Sequence, residues 1–89
     1  MKVNDNFVIR QIADEFIIVP IGEALINFNG MITVNEIGRF IWEQLQEDVT
    51  QEQLLDRITD EYDVDKQTAE NDLEEFIESL QQGGLLQRQ

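Results

Sequence analysis

The stretch GMITVNEIGRFIWEQL, Gly30–Leu45, decides how the chain folds. Met31–Val34 reads as a short strand, Asn35 breaks the pattern, and an amphipathic helix follows with Ile37, Phe40, Ile41 and Leu45 on one side. Asn35, or Thr33 with Glu36 three residues on, supplies the N-cap of a helix predicted to run to about Gln46. Trp42, the sole tryptophan, lies off that side. It either widens the core stripe or stands as an exposed aromatic anchor, and the burial habit of tryptophan favours the core.

Upstream of this junction the chain reads as β. FVIRQI (Phe7–Ile12) and EFIIVP (Glu15–Pro20) are separated only by Ala13-Asp14, a hairpin spacing. Pro20 and Gly22 mark the next turn. In ALINF (Ala24–Phe28), Ala24, Ile26 and Phe28 alternate with Leu25 and Asn27, which predicts a half-buried strand. Asn29-Gly30 then predicts a type I′ hairpin turn, since both residues tolerate positive φ, with Met31–Val34 returning as the last strand.

Downstream it reads as helix. Thr50 with Gln53 forms a capping box, opening a helix with Leu54, Leu55, Ile58 and Tyr62 on one face. Asp65 caps a third helix, Lys66 to about Gln82, whose apolar stripe is Ala69, Leu73, Phe76, Ile77 and Leu80. Gly83-Gly84 ends it, and Leu85-Leu86 is expected to fold back onto the core. The expected fold is α+β and winged-helix-like, one domain over 1–89: an N-terminal antiparallel β-ribbon of three or four strands followed by three helices.

That shape ordinarily suggests DNA binding through the third helix, but the charge opposes it. The net charge is −13 over 89 residues. The third helix carries Glu70, Asp72, Glu74, Glu75 and Glu78 against Lys66 alone, which would repel phosphate. A basic protein or peptide is the better partner. The chain has no cysteine and no histidine, which removes thiolate nucleophiles, histidine bases and the usual zinc sites. No apolar run approaches the roughly 20 residues of a membrane span, and no signal core is visible, so a cytoplasmic location without membrane contact is expected.

DVDKQTAENDLE (Asp63–Glu74) resembles a calcium loop only superficially, because Thr68 occupies the sixth position, where the loop needs glycine. A helix cap with solvated charges explains it. Ser79, the only serine, lies late in a helix and not at the helix start that a carrier protein's phosphopantetheine serine requires. Nothing marks a catalytic pair, a metal site or a cofactor site, so a non-catalytic binding module is expected.

Three segments, MITVNEIGRFIWEQL, VTQEQLLDRITDEYDVD and AENDLEEFIESLQQGGLL, resemble the PqqD-like family. The likeness covers about Glu15–Leu86. It is carried by Asn35-Glu36 with Gly38 and Ile41-Trp42, the Thr50 helix start, Glu61–Asp65, and Gly84-Leu85-Leu86. Phe7–Ile12 looks additional to the shortest members, and its place in the sheet is left open. Such proteins are similar to the pyrroloquinoline quinone biosynthesis chaperone and recognise ribosomally made, later modified peptides. The resemblance implies that a precursor's leader peptide adds as a strand to Met31, Ile32, Thr33 and Val34 and packs against the third helix. It further implies presentation to a modifying enzyme, frequently a radical S-adenosylmethionine enzyme. On that helix Leu73 and Phe76 are candidates for the groove floor, though they could equally be core. Asp72 is the candidate to meet a basic peptide residue. Two rival readings stand beside this one: a winged-helix adaptor binding another protein without any modified peptide, and a transcriptional regulator. An exposed strand edge also leaves a homodimer open.

Overall fold

The computed structural model of the chain describes residues 1–27 and 31–87. In chain order the elements are β1 (Phe7–Ile12), β2 (Glu15–Pro20), α1 (Ala24–Asn27), β3 (Ile32–Val34), α2 (Glu36–Gln44), α3 (Gln51–Glu61) and α4 (Lys66–Gln82). This is an α+β fold in which an antiparallel three-stranded sheet, ordered β1-β2-β3, is followed by helices.

Directly opposed residues share a sheet face. Ile9, Ile18 and Ile32 are opposed in this way across the three strands. Ile18 is fully buried in the core, and Ile9 and Ile32 are half-buried against it. Backbone polar groups alternate sides along each strand, and their phase can be read. The Ile21 N–H donates to the Asn6 carbonyl at 2.7 Å. Stepping in twos along the register, Val8–Val19, Arg10–Ile17 and Ile12–Glu15 are the hydrogen-bonded pairs, as the two-residue Ala13-Asp14 loop also requires. Phe16 and Ile18 therefore direct their polar groups at Val34 and Ile32. On β3 this leaves the N–H and C=O of Thr33 facing the open edge.

The segment from Ala24 departs from its expected strand. Ala24–Asn27 is a helical turn, in which the N–H groups of Ala24, Leu25 and Ile26 donate to carbonyls three residues back at 3.1–3.2 Å. Ile26 is 82% exposed, so the apparent alternation does not map onto a buried face. Gly22, at φ 59°, turns the chain off β2, and the slot beside β2 is taken by Ile32–Val34. The expected continuation to Phe28 and the Asn29-Gly30 turn lie outside the described residues. The last strand begins at Ile32, and Met31 precedes it.

The helix boundaries follow local chemistry. Asn35 caps α2. Thr50 and Gln53 form the reciprocal capping box of α3, at 3.1 and 2.9 Å, and Asp65 Oδ2 accepts from the Thr68 N–H at the start of α4. At the end of α4, Leu85 N–H bonds the Leu80 carbonyl and Gly84 N–H bonds that of Gln81, with Gly84 at φ 73°. This is the Schellman arrangement, and both Leu80 and Leu85 are fully buried beside it.

The core joins Ile18 to Ile41 and Trp42 of α2, to its C-cap Leu45, and to Leu54, Ile58, Leu73 and Leu80 beyond it. Trp42 is thus a core residue. The sequence reading gave no role to the N-terminal segment, yet it is built into the fold. Val3 is buried, its N–H bonds the Leu45 carbonyl at 2.9 Å, and the Asn4 N–H bonds that of Leu85 at 2.7 Å.

Candidate functional site

β3 enters α2 with only Asn35 between them, and that residue sets the geometry. Its extended backbone turns the chain, and its Oδ1 accepts the Gly38 N–H at 2.8 Å. The first turn of α2 is thereby folded back over the strand. A Cβ at position 38 would lie 3.0 Å from Val34 Cβ and 3.4 Å from Phe76 Cε1. Glycine at 38 is what lets β3, α2 and α4 converge.

Helix α4 contributes two adjacent stripes. Ala69, Leu73, Ile77 and Leu80 are buried in the core. Asp72, Glu75, Phe76 and Ser79, at i, i+3, i+4 and i+7, form the neighbouring stripe. That second stripe faces β3 across a groove of about 310 Å³. From the strand side the groove is lined by Ile32, Thr33 and Val34, and from α2 by Asn35, Ile37, Gly38 and Ile41. Ile41 and Leu80, both buried, lie at its base, and the exposed carboxylates of Asp72 and Glu75 stand at its rim. The Ser79 hydroxyl donates back to the Glu75 carbonyl at 3.0 Å.

Five of the seven residues expected from sequence, Ile32, Thr33, Val34, Asp72 and Phe76, therefore line one groove. The other two do not. Leu73, 1% exposed, belongs to the core, and Met31, 66% exposed, lies outside both the strand and the lining. The sequence reading missed Asn35, Ile37, Gly38, Ile41, Glu75, Ser79 and Leu80 as lining residues. Helical spacing from Asp72 and Phe76 was the available signal for Glu75, Ser79 and Leu80.

The opposite flank of α2 has a different character. The Arg39 guanidinium stacks 5.2 Å from the Phe16 ring centre and donates to Glu43 at 2.7 Å, and that hydrogen bond holds its pKa above the ordinary value. Tyr62 meets Phe40 edge-on with ring centres 5.4 Å apart. Burial, then the nearby Glu36 carboxylate, raises its phenol pKa.

Among the described residues no group of three or more His, Cys, Asp or Glu side chains is placed to hold a metal ion. None of their helices is long and apolar enough to cross a membrane. What the groove offers is a stretch of strand backbone with no partner strand among the described residues, beside an apolar base. Such an edge pairs with an extended chain through N–H and C=O groups, with pockets for alternate side chains.

The family model for Coenzyme PQQ synthesis protein D (PqqD) matches residues 9–86. The solved structure of TbiB1 in complex with the TbiA(beta) leader peptide is 30% identical, with a TM-score of 0.75, and the match covers 100% of this chain and 98% of that one. A lasso peptide synthetase B1, solved with its leader peptide, shares the fold at 18% identity and a TM-score of 0.70, over 94% of this chain and 93% of that one. No curated protein sequence matches the chain significantly.

Proposed function

The chain belongs to the PqqD family, and on that footing we propose that it binds the leader segment of a ribosomally made precursor peptide and presents it to a modifying enzyme. The observation that carries this reading is the open edge of β3 set against the α4 stripe. The leader adds as a strand to Ile32–Val34, bonding the outward N–H and C=O of Thr33. Its alternate side chains enter the groove over Ile37, Phe76 and Leu80. Backbone pairing supplies the affinity, and the groove supplies the selection.

In this reading the whole chain acts in the cytoplasm as one recognition module and catalyses nothing. The reaction is left to the partner, for which a radical S-adenosylmethionine enzyme is the class we favour. The test is an amide chemical-shift map during titration with the leader of a short precursor encoded beside the gene. Changes are expected along 32–35 and on Asp72, Glu75, Phe76 and Ser79. Changes confined to Phe7–Ile12, sparing both groove walls, would overturn the proposed site.

A further inference from the structure

The groove is one-sided in charge. Asp72 and Glu75 are the charged residues that line it, and no lysine or arginine does. Three residues apart on a helix, they present their carboxylates on one face. Among the described residues the ion pairs join Met1 to Asp48, Arg39 to Glu43 and Arg57 to Glu47, so neither groove carboxylate takes part. Arg39, the basic residue closest in the chain to β3, is thus engaged with Glu43, and Lys66, at the far start of α4, does not line the groove, so the rim faces solvent as negative charge.

We infer that the groove selects a peptide with a lysine or arginine two residues from an apolar side chain, the base meeting Asp72 and Glu75 and the apolar group resting on Phe76. This inference rests on the peptide-binding reading above and specifies its substrate. The acidic pair does not make the site; the strand edge and apolar base do, and the pair only discriminates among extended chains that fit there.

Spacing supports the pattern. Every second residue of an added strand points to the same side, which places groove-facing side chains about 6.7 Å apart. Asp72 and Phe76 are separated by four residues of helix, about 6 Å of rise. Consecutive groove-facing positions of a strand that runs along α4 therefore reach first Asp72 and then the Phe76 ring. A peptide with acidic residues at the first position would bring like charges together beside a partly desolvated surface. A second copy of this chain pairing through its own β3 would do the same, with −13 on each partner, so the geometry favours a foreign cationic strand over self-association.

The experiment selects random ten-residue peptides, displayed on phage, against the full chain, D72N/E75Q and E52Q/D56N. The last variant removes the same two charges from exposed positions of α3 that do not line the groove. Expected is enrichment of lysine or arginine at one position, two residues from an apolar one. That enrichment should be lost on D72N/E75Q and kept on E52Q/D56N. Replacing that lysine by norleucine in a selected peptide should weaken binding to the parent chain by about fivefold, and hardly at all to D72N/E75Q. Peptides that lose binding on Thr33→Pro but show no positional basic preference would overturn this inference and leave the peptide-binding reading standing. So would a preference that both double variants lose equally, since that reports net charge alone. If no selected peptide depends on Thr33, the groove reading fails and this inference with it.

Discussion

The sheet has two outer edges, and among the described residues the cavities beside them are built differently. β1 is six residues long and β3 only three, so the longer edge offers more backbone. Yet the cavity beside β1 is lined by Ile9, Arg10, Gln11, Phe16, Arg39 and Glu43, largely long polar side chains with two arginines. The cavity beside β3 has an apolar base, a helix for its far wall and two carboxylates on its rim. Edge length is not what separates them: both cavities have a helix wall, α2 at β1 and α4 at β3, but only the one beside β3 has fully buried apolar side chains at its base. The two edges also differ in sign, basic at β1 and acidic at β3. An extended chain therefore meets opposite electrostatics depending on where it pairs.

A matched pair of prolines gives the largest expected effect. Thr33 on β3 and Gln11 on β1 both direct their N–H groups away from β2, so proline at either position removes an outward donor without breaking the ladder inside the sheet. Thr33→Pro should weaken leader binding by about thirtyfold or more, combining the lost hydrogen bond with the clash of the ring. Gln11→Pro should change it by less than about twofold, because on the proposed reading the leader pairs with β3 and not with β1. Calorimetric titration reads both, with circular dichroism showing the helices retained. Equal losses would erase the distinction between the edges.

Gly38→Ala is expected to act next most strongly, and on the β3 side alone. The added methyl must displace Val34 or Phe76, with a stability cost of about 1–2 kcal/mol by the usual penalty for overpacking. Chemical denaturation measures this cost, and leader affinity should fall with it as the groove narrows. An unchanged midpoint would mean that the convergence of β3, α2 and α4 does not depend on glycine.

The smallest effect concerns the segment that leads into β1. The Met1 amine donates to Asp48 at 2.8 Å, and that hydrogen bond holds the Asp48 carboxyl below its ordinary value. A depressed carboxyl contributes stability that is present above its unfolded pKa, near 3.9, and is lost as pH falls through its folded pKa. Asp48→Asn should therefore lower the melting temperature slightly at pH 6, and the difference from the parent should shrink as the pH falls below the ordinary carboxylate range and vanish once the depressed Asp48 carboxyl is protonated. Leader binding at β3 should be the same in both proteins. A gap in melting temperature that widened toward low pH would contradict this sign.

Much of this architecture can be read from the amino acids because its determinants are local. Asn35, Thr50 with Gln53, and Asp65 start helices through bonds to their own next turn, and Gly84 ends one through its own φ, so each acts wherever the rest of the chain lies. Buried stripes on α3 and α4 show in helical spacing for the same reason. Ala24–Asn27 misled because alternation over so few residues is also compatible with a helical turn, and pairing partners decide between them. Those partners are remote: Ile32–Val34 lies beside Phe16–Ile18, across more than a dozen residues of chain.

The candidate site divides along the same line. By itself the sequence determined that a strand would meet a helix at Asn35, that the closing helix would be acidic and amphipathic, and that no cysteine or histidine would be available for chemistry. Tertiary structure alone decided which α4 stripe faces the groove, putting Phe76 there and Leu73 in the core although both carry apolar side chains on one helix. It also decided that Thr33 turns its backbone outward, since the phase of a ladder is set by the hairpin two strands away. Caps and stripes are properties of neighbouring residues, whereas a groove exists only where elements distant in the chain approach without closing the space between them.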